Sequence, residues 1–179
     1  MVTGDSFGSL RGDNSLEKVQ IPRGRAGHRG RFRSIRSMAE IQMRVLIADD
    51  YYAFRQGLKV MLGFEPDIKV VGEALNGLQT VELVQKHRPD ALVMDLSMGG
   101  LSGIEVIKRV VAASPETKIL IVSGQADERV INEALGCGAS GYLSKSGSLR
   151  EVPVALRQLH RGNSFVRMGR NVNTLQDGL

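Results

Sequence analysis

The stretch ALVMD, residues 91–95, decides the fold class, because a continuous apolar run there ends directly in a carboxylate. A strand that helices cover on both faces reads as such a run, whereas a half-exposed strand alternates apolar and polar residues. Two further runs of this kind are VLIA at residues 45–48 and KILIV at residues 118–122. The three runs predict parallel strands that lie buried between two layers of helices.

Amphipathic stretches separate these runs and predict helices. The first helix is expected to end near Leu62 and the last near Arg161, with others over residues 76–87, 102–113 and 127–135, and with further strands at 68–71 and 141–143. Five β-α units of this size predict an α/β protein with a doubly wound, five-stranded parallel sheet and helices on both faces. The ligand site of such a sheet lies at the carboxyl ends of its strands.

The last helix has two alternative starting points. Ser148 and Glu151 have the spacing of a capping box, which would place Pro153 inside the helix, where it removes a hydrogen bond. Alternatively, the helix begins near Val152 and holds Pro153 in its first turn.

The composition excludes several classes of protein. Cys137 is the only cysteine in 179 residues, which excludes a disulfide framework and indicates a reducing compartment. No apolar run approaches the length of a membrane span, and the N-terminus lacks the short apolar stretch of a signal peptide. We therefore expect a cytoplasmic protein with no membrane partner.

The net charge of +5 is concentrated near the N-terminus. Residues 1–40 carry eight Arg or Lys side chains against four Asp or Glu side chains, so they hold four of the five net positive charges. The same residues are rich in Gly, Ser and Arg and have no apolar period, which predicts a disordered basic tail. The rest of the chain lacks the electrostatic pattern of a DNA-binding domain.

Three carboxylates follow two of the predicted strands. Asp49 and Asp50 come after the first strand, and Asp95 comes after the third. Because the carboxyl ends of parallel strands meet at one edge of a sheet, we expect these side chains to converge around Mg²⁺, which accepts a few hard oxygen ligands together with water and phosphate. An isolated Asp-Asp pair can instead cap the first helix. Asp95, however, is costly to place directly after a buried run without a partner.

Two more polar residues follow the remaining strands of the predicted sheet. Ser123 comes after the fourth strand and Lys145 after the fifth. Lys145 can supply positive charge to the carboxylates and to an attached phosphoryl group, and Ser123 can supply a hydrogen bond. A lone lysine at a strand end is more often solvated. Functional groups after four of five strands nevertheless favour one shared site.

Residues 43 to about 163 resemble the response-regulator receiver domain of two-component signalling, which implies a flavodoxin-like fold. The stretches that carry the resemblance are DDYYAFRQGL at 49–58, VMDLSM at 93–98 and GASGYLSK at 138–145. They are similar to receivers that precede a LuxR-type helix-turn-helix. On this basis we expect a disordered basic tail at 1–40, a receiver domain at 41–163, and a C-terminal tail or the start of a linker at 164–179.

The resemblance also implies roles for the residues around the carboxylates. Asp95 would accept a phosphoryl group from a histidine kinase, with Mg²⁺ as the cofactor. Asp50 would bind the metal with Asp49 assisting, and the backbone carbonyl of Ser97 would complete the metal site. Such a domain is not an enzyme beyond catalysing its own phosphorylation and dephosphorylation.

The remaining implied roles concern the switch that follows phosphorylation. Ser123 matches the switch hydroxyl, Lys145 matches the lysine of the family, and Tyr142 matches the aromatic residue that turns inward on activation. An ordinary, partly buried aromatic at a strand edge is the alternative for Tyr142. The last two β-α units would form a partner surface or a homodimer interface.

The chain departs from the family pattern in two loops. Where the family usually has a proline shortly after the acceptor aspartate, this chain has Met98-Gly99-Gly100, which predicts a looser loop. Gly124 replaces the more usual alanine, which keeps access open for a phosphoryl group.

Three other functions are alternatives to this one. A truncated DNA-binding transcriptional regulator stays open as an alternative, because only 18 residues follow Arg161, and an independently folded output domain needs about 50. Nucleic acid would then be bound only through the missing domain. A phosphatase with an aspartate nucleophile would carry Asp-x-Asp after the first strand, and a flavin-binding module would carry a Gly-rich phosphate loop there, where this chain has two acids.

Overall fold

The computed structural model describes residues 42–124 and 127–168. The expected disordered tail at residues 1–40 and the last residues of the expected C-terminal segment, 169–179, lie outside the described residues. Strands and helices alternate along the chain as β1 Met43–Ala48, α1 Tyr52–Gly63, β2 Ile68–Ala74, α2 Gly77–His87, β3 Ala91–Met94, α3 Gly103–Ala113, β4 Lys118–Ser123, α4 Glu128–Gly136, β5 Gly141–Ser144, α5 Glu151–His160 and β6 Phe165–Arg167.

All strands lie parallel in one sheet of order β2-β1-β3-β4-β5-β6. Alternate residues of each strand face opposite layers: Leu46 belongs to the core formed with α2, α3 and α4, whereas Ile47 belongs to the core formed with α1 and α5. The predicted α/β class, parallel pairing and helices on both faces are therefore confirmed. The strand order reverses between β1 and β3, which places the crevice of the sheet at the carboxyl ends of these two strands.

Among the described residues, the sheet contains six strands rather than the five expected from the sequence. The additional strand, β6, lies within the segment that was expected to be a tail or linker, and it pairs with β5 from Gly141↔Phe165 to Leu143↔Arg167. Glycine at position 141 permits this approach, since an added Cβ would lie only 2.5 Å from the carbonyl oxygen of Phe165. A three-residue strand is too short to show a period, so the sequence pattern could not reveal it.

Helix starts follow the sequence signals closely. Asn76, Ser102 and Asp127 each accept a backbone N–H bond with their side chains and so cap α2, α3 and α4. Helix α5 begins at Glu151 with Pro153 in its first turn, which supports the second of the two alternative starts. Within the described ranges, none of the helices combines the length and apolar character needed to cross a bilayer.

Candidate functional site

An acidic cluster lies at the carboxyl edge of the sheet, beside the point where the strand order reverses. Backbone bonds from the Asp49 N–H to the Ala74 carbonyl (3.1 Å) and from the Asp95 N–H to the Ala48 carbonyl (3.0 Å) continue the strand ladder and fix the two aspartates. One carboxylate oxygen each of Asp49, Asp50 and Asp95 lies within 4.8 Å of the other two. Asp49 and Asp95 are only 1% and 6% exposed, whereas Asp50 is open to solvent.

Lys145 joins the two buried carboxylates. Its Nζ lies 2.8 Å from Oδ2 of Asp49 and 2.6 Å from Oδ2 of Asp95. The backbone positions it, because its N–H donates to the carbonyl of Ser123 at 2.9 Å. The ring of Phe54 lies beside it, with the centroid 4.7 Å from Nζ. Lys145 is thus paired with two carboxylates and mostly buried, and its functional role stays a prediction.

The charges of this cluster reinforce one another. Burial acts to raise the pKa of Asp95, but hydrogen bonds from Lys145 and Ser123 outweigh it and hold the pKa below its usual value. Burial likewise acts to lower the pKa of Lys145, but the carboxylates of Asp49 and Asp95 outweigh it and raise the pKa. At neutral pH Asp95 is thus ionised and Lys145 protonated, which are the forms that a carboxylate nucleophile and its neutralising cation require.

Tyr142 is fully buried in β5. Its hydroxyl donates to the backbone carbonyl of Ser123 at 3.3 Å. Strand β5 pairs with β6 on its outer side, and the ring lies in the core formed with α2, α3 and α4, so it is fully rather than partly buried. Burial and then the charge of Asp95 raise the pKa of this phenol. The structure thus places the ring inward, and its role in a switch stays a prediction.

Arg55 is a residue of this site that sequence reasoning missed. It is only 5% exposed, and its Nη1 donates to the carbonyl oxygen of Asp49 at 2.7 Å. The sequence did carry a signal, because Arg55, Leu58 and Leu62 share the spacing of one helix face, and all three are buried in α1.

A family model, described as the response regulator receiver domain, matches residues 45–157. The chain belongs to this family. The matched region includes all three aspartates of the acidic cluster and Lys145, so the site lies inside the receiver domain.

Named relatives agree with this assignment. The oxygen regulatory protein NreC of Staphylococcus carnosus is 37% identical over 125 residues, which are 69% of this chain and 58% of NreC. The signal receiver domain of NarL from Mycobacterium tuberculosis is 31% identical with a TM-score of 0.65, and the match covers 68% of this chain and 98% of that domain. The predicted resemblance to receivers of LuxR-type regulators is confirmed.

A third relative has been solved with a mimic of the phosphoryl group. The isolated receiver domain of RcsB from Salmonella enterica serovar Typhimurium, in the presence of the phosphomimetic BeF₃⁻, is 27% identical with a TM-score of 0.66, covering 70% of this chain and 94% of that one. Another RcsB structure contains two dimers bound to two parallel DNAs. The present chain spans somewhat more than half the length of a curated relative such as NreC.

The donor chemistry of the receiver's acidic cluster fits Mg²⁺. Two buried carboxylates and one exposed carboxylate offer hard oxygen ligands, and the exposure of Asp50 leaves room for water or phosphate. The second carboxylate oxygens of Asp49 and Asp95 are held by the backbone N–H groups of Tyr51 (2.9 Å) and Ser97 (3.2 Å). The contribution of the Ser97 carbonyl stays a prediction.

The loop after Asp95 is anchored at two points despite its glycines. Met98 is buried in the core formed with α2, α3 and α4. The carbonyl of Gly99 accepts the N–H of Gly77 at 3.3 Å, which ties the loop to the start of α2. Gly100 has φ +93°, a conformation that side chains rarely adopt, so glycine is required at that position.

Proposed function

We propose that this receiver domain takes a phosphoryl group on Asp95 from a histidine kinase, in a reaction that depends on Mg²⁺, and that the acyl phosphate switches a partner or dimer surface. The observation that supports it most is the ion pair between Lys145 and Asp95 at 2.6 Å inside an acidic cluster. A lysine beside three convergent carboxylates suits a site that must neutralise a highly charged phosphoryl group.

The chemistry needs a nucleophile that is already deprotonated. A carboxylate oxygen of Asp95 attacks the phosphorus of a phosphohistidine and forms an O–P bond. The P–N bond breaks, and its electron pair stays on that ring nitrogen. Because the other ring nitrogen of the phosphohistidine carries a proton, the imidazole leaves as a neutral ring. Because the pKa of Asp95 is held below its usual value, the attack requires no general base.

The charge of the transferred group is met by residues that already surround Asp95. The ammonium group of Lys145 would form an ion pair with the phosphoryl oxygens, and the hydroxyl of Ser123 would donate a hydrogen bond to one of them. Asp50, Asp49, Asp95 and the Ser97 carbonyl would hold Mg²⁺, which supplies charge neutralisation on the phosphoryl oxygens when bound. The domain would thereby catalyse only its own phosphorylation and dephosphorylation. Its single free cysteine suits a reducing, cytoplasmic setting.

The switch would run from Ser123 to Tyr142. The two residues are in contact, because the backbone carbonyl of Ser123 accepts a hydrogen bond from the Tyr142 hydroxyl. Drawing the Ser123 side chain toward a phosphoryl group would strain this contact and shift the population of the last two β-α units. The relative RcsB forms dimers, which supports the proposal of a homodimer; its location in the last two β-α units is implied by the family resemblance.

The coverage of the relatives favours a second proposal about the protein as a whole. The chain matches 98% of the NarL receiver domain but only 58% of NreC. This receiver would then belong to a transcriptional regulator whose helix-turn-helix output domain lies outside the present sequence. Nucleic acid would be bound only through that domain.

Intact mass spectrometry after incubation with a small-molecule phosphodonor and MgCl₂ tests the phosphoacceptor directly. We expect one added phosphoryl group on the native chain and none on Asp95→Asn. Asp127→Asn is the matched control, because asparagine can also cap α4 and the position lies outside the acidic cluster. Labelling that survives Asp95→Asn, or that is lost equally in Asp127→Asn, would refute the assignment of Asp95.

A further inference from the structure

We infer that Arg55 is a positioning residue for the metal site, acting through the peptide group between Asp49 and Asp50; this inference rests on the proposed function. The guanidinium lies almost wholly out of solvent at the foot of the β1–α1 turn. Its Nη1 donates to the Asp49 carbonyl at 2.7 Å. Burying a guanidinium is costly, so a structural reason for its placement is required.

The hydrogen bond from Arg55 to the Asp49 carbonyl fixes the orientation of the backbone at Asp50, just after β1. The Asp49 carbonyl and the Asp50 N–H belong to one rigid peptide plane, so a bond to the carbonyl sets the rotation of that plane. The backbone N–H of Asp49 donates to the carbonyl of Ala74, and the side-chain Oδ1 of Asp49 accepts the N–H of Tyr51. With Arg55 on the carbonyl, both sides of this turn are fixed, although the Asp50 side chain itself is exposed.

A second contact holds the guanidinium in place. Nε of Arg55 donates to Oε2 of Glu73 in β2 at 3.2 Å, which compensates the buried positive charge. Gln56 and Lys59 also bind Glu73, at 2.8 Å and 2.6 Å, so this carboxylate is itself fixed from the surface side of α1. The rigid fork of arginine reaches Asp49 and Glu73 together, which a lysine ammonium cannot do in the same geometry.

Removing this support is expected to weaken metal binding without removing a ligand. Residues that orient metal ligands typically contribute about 10-fold or more to affinity. Arg55→Gln should therefore raise the Mg²⁺ dissociation constant about 10-fold, and saturating MgCl₂ should restore the phosphodonor labelling rate. A purely structural role would lower labelling at every Mg²⁺ concentration alike.

The experiment titrates the full chain with MgCl₂ and follows the amide chemical shifts around Asp50 by NMR, alongside labelling rate against MgCl₂ concentration. Lys59→Ala is the matched control, because it also loses a contact to Glu73 but does not touch Asp49. We expect Lys59→Ala to bind Mg²⁺ like the native chain. Arg55→Lys keeps the positive charge, so it tests the positioning role if Arg55→Gln fails to fold. It should also weaken Mg²⁺ binding, by a smaller factor than Arg55→Gln does.

The outcomes separate this inference from the proposed function. If the folded Arg55 variants bind Mg²⁺ as tightly as the native chain, the positioning role is overturned but the metal site is not. The same conclusion follows if Lys59→Ala weakens Mg²⁺ binding as much as the Arg55 variants do. A native chain that shows no Mg²⁺-dependent shifts would overturn the metal site itself, and the role of Arg55 with it.

Discussion

Lys145 and Asp95 form a short ion pair, in which the ammonium Nζ lies 2.6 Å from Oδ2 of the carboxylate. The same Nζ lies 2.8 Å from Oδ2 of Asp49, so one cation compensates both buried carboxylates of the acidic cluster. Its side chain is 20% exposed, which leaves it only partly screened by water. The cluster therefore depends on Lys145 for its stability as well as for its chemistry.

Lys145→Ala should lower the free energy of unfolding by about 3 kcal/mol in Mg²⁺-free buffer, because it leaves two buried carboxylates without a counter-charge. Adding MgCl₂ should recover part of the loss, since the metal ion would replace the missing positive charge. Urea unfolding with and without MgCl₂ measures both effects. Lys59→Ala removes an exposed ion pair and should cost below about 1 kcal/mol; an equal loss in the two variants would contradict the prediction.

Asp50→Ala should abolish the stabilisation by Mg²⁺ while leaving the metal-free protein folded. Asp50 is the exposed member of the cluster, so its removal creates no cavity and relieves repulsion between like charges. The native melting temperature should rise with MgCl₂ concentration, as for any ligand that binds only the folded state. Glu116→Ala, an exposed acid just before β4, should keep this dependence. A melting temperature of Asp50→Ala that still rises like that of the native chain would exclude Asp50 as a ligand.

Glu73→Gln should destabilise the domain in a pH-dependent way. The hydrogen bond from Lys59 is the main cause that lowers the pKa of Glu73 below its ordinary value of 4.5, with Arg55 and Gln56 adding to it against the effect of burial. A lowered pKa contributes stability that is present above the ordinary pKa and is lost as the pH falls through the folded pKa. The free energy of unfolding of the native chain should thus exceed that of Glu73→Gln by about 1 kcal/mol at neutral pH. This difference in stability should close below pH 4.5.

Urea unfolding of the native chain and Glu73→Gln between about pH 7 and pH 3 measures this gap. Glu116→Gln, at an exposed position, is the matched control and should show no comparable change with pH. A gap between native and Glu73→Gln that stays constant over the range would mean that the contacts to Glu73 are insensitive to its charge.

The parts of the fold that were predictable are those that repeat along the chain. The run at residues 91–94 is buried on both faces because helices cover both sides of β3, and this leaves an uninterrupted apolar pattern in the sequence. The caps Asn76, Ser102 and Asp127 act within three residues, so local sequence determines them. The convergence of Asp49 and Asp95 followed from the rule that parallel strands end at one edge.

The parts that were not predictable depend on contacts between distant residues. The sixth strand pairs with β5 through residues that are 24 positions apart, such as Gly141 and Phe165, and three residues carry no detectable period. Arg55 was overlooked because arginine is usually assigned to a solvated face, and only the spacing to Leu58 and Leu62 places it inside. Its partners are Asp49, directly after β1, and Glu73 in β2, and no local pattern connects the two.

Strand β6 provides the last prediction, because its position depends on glycine at 141. An added Cβ there would lie 2.5 Å from the Phe165 carbonyl oxygen and 3.2 Å from Cδ2 of Leu159. The first contact involves backbone, which cannot rotate away as a side chain can, so Gly141→Ala must displace β6. We expect a loss of about 1–3 kcal/mol in the free energy of unfolding, the usual cost of overpacking.

A chain that ends at Asn163 separates the two contacts, since it lacks β6 but keeps Leu159. Gly141→Ala should cost clearly less in this shortened chain than in the full one, because only contacts to the flexible side chains of Leu159 (3.2 Å) and Leu120 (3.4 Å) remain. Gly136→Ala in α4, where an added Cβ meets nothing within 4 Å, is the control and should not destabilise either chain. Urea unfolding of the six proteins gives the coupling between Gly141 and the strand. If Gly141→Ala costs the same in both lengths, β6 does not lie against β5 in solution, and the sheet ends at its fifth strand.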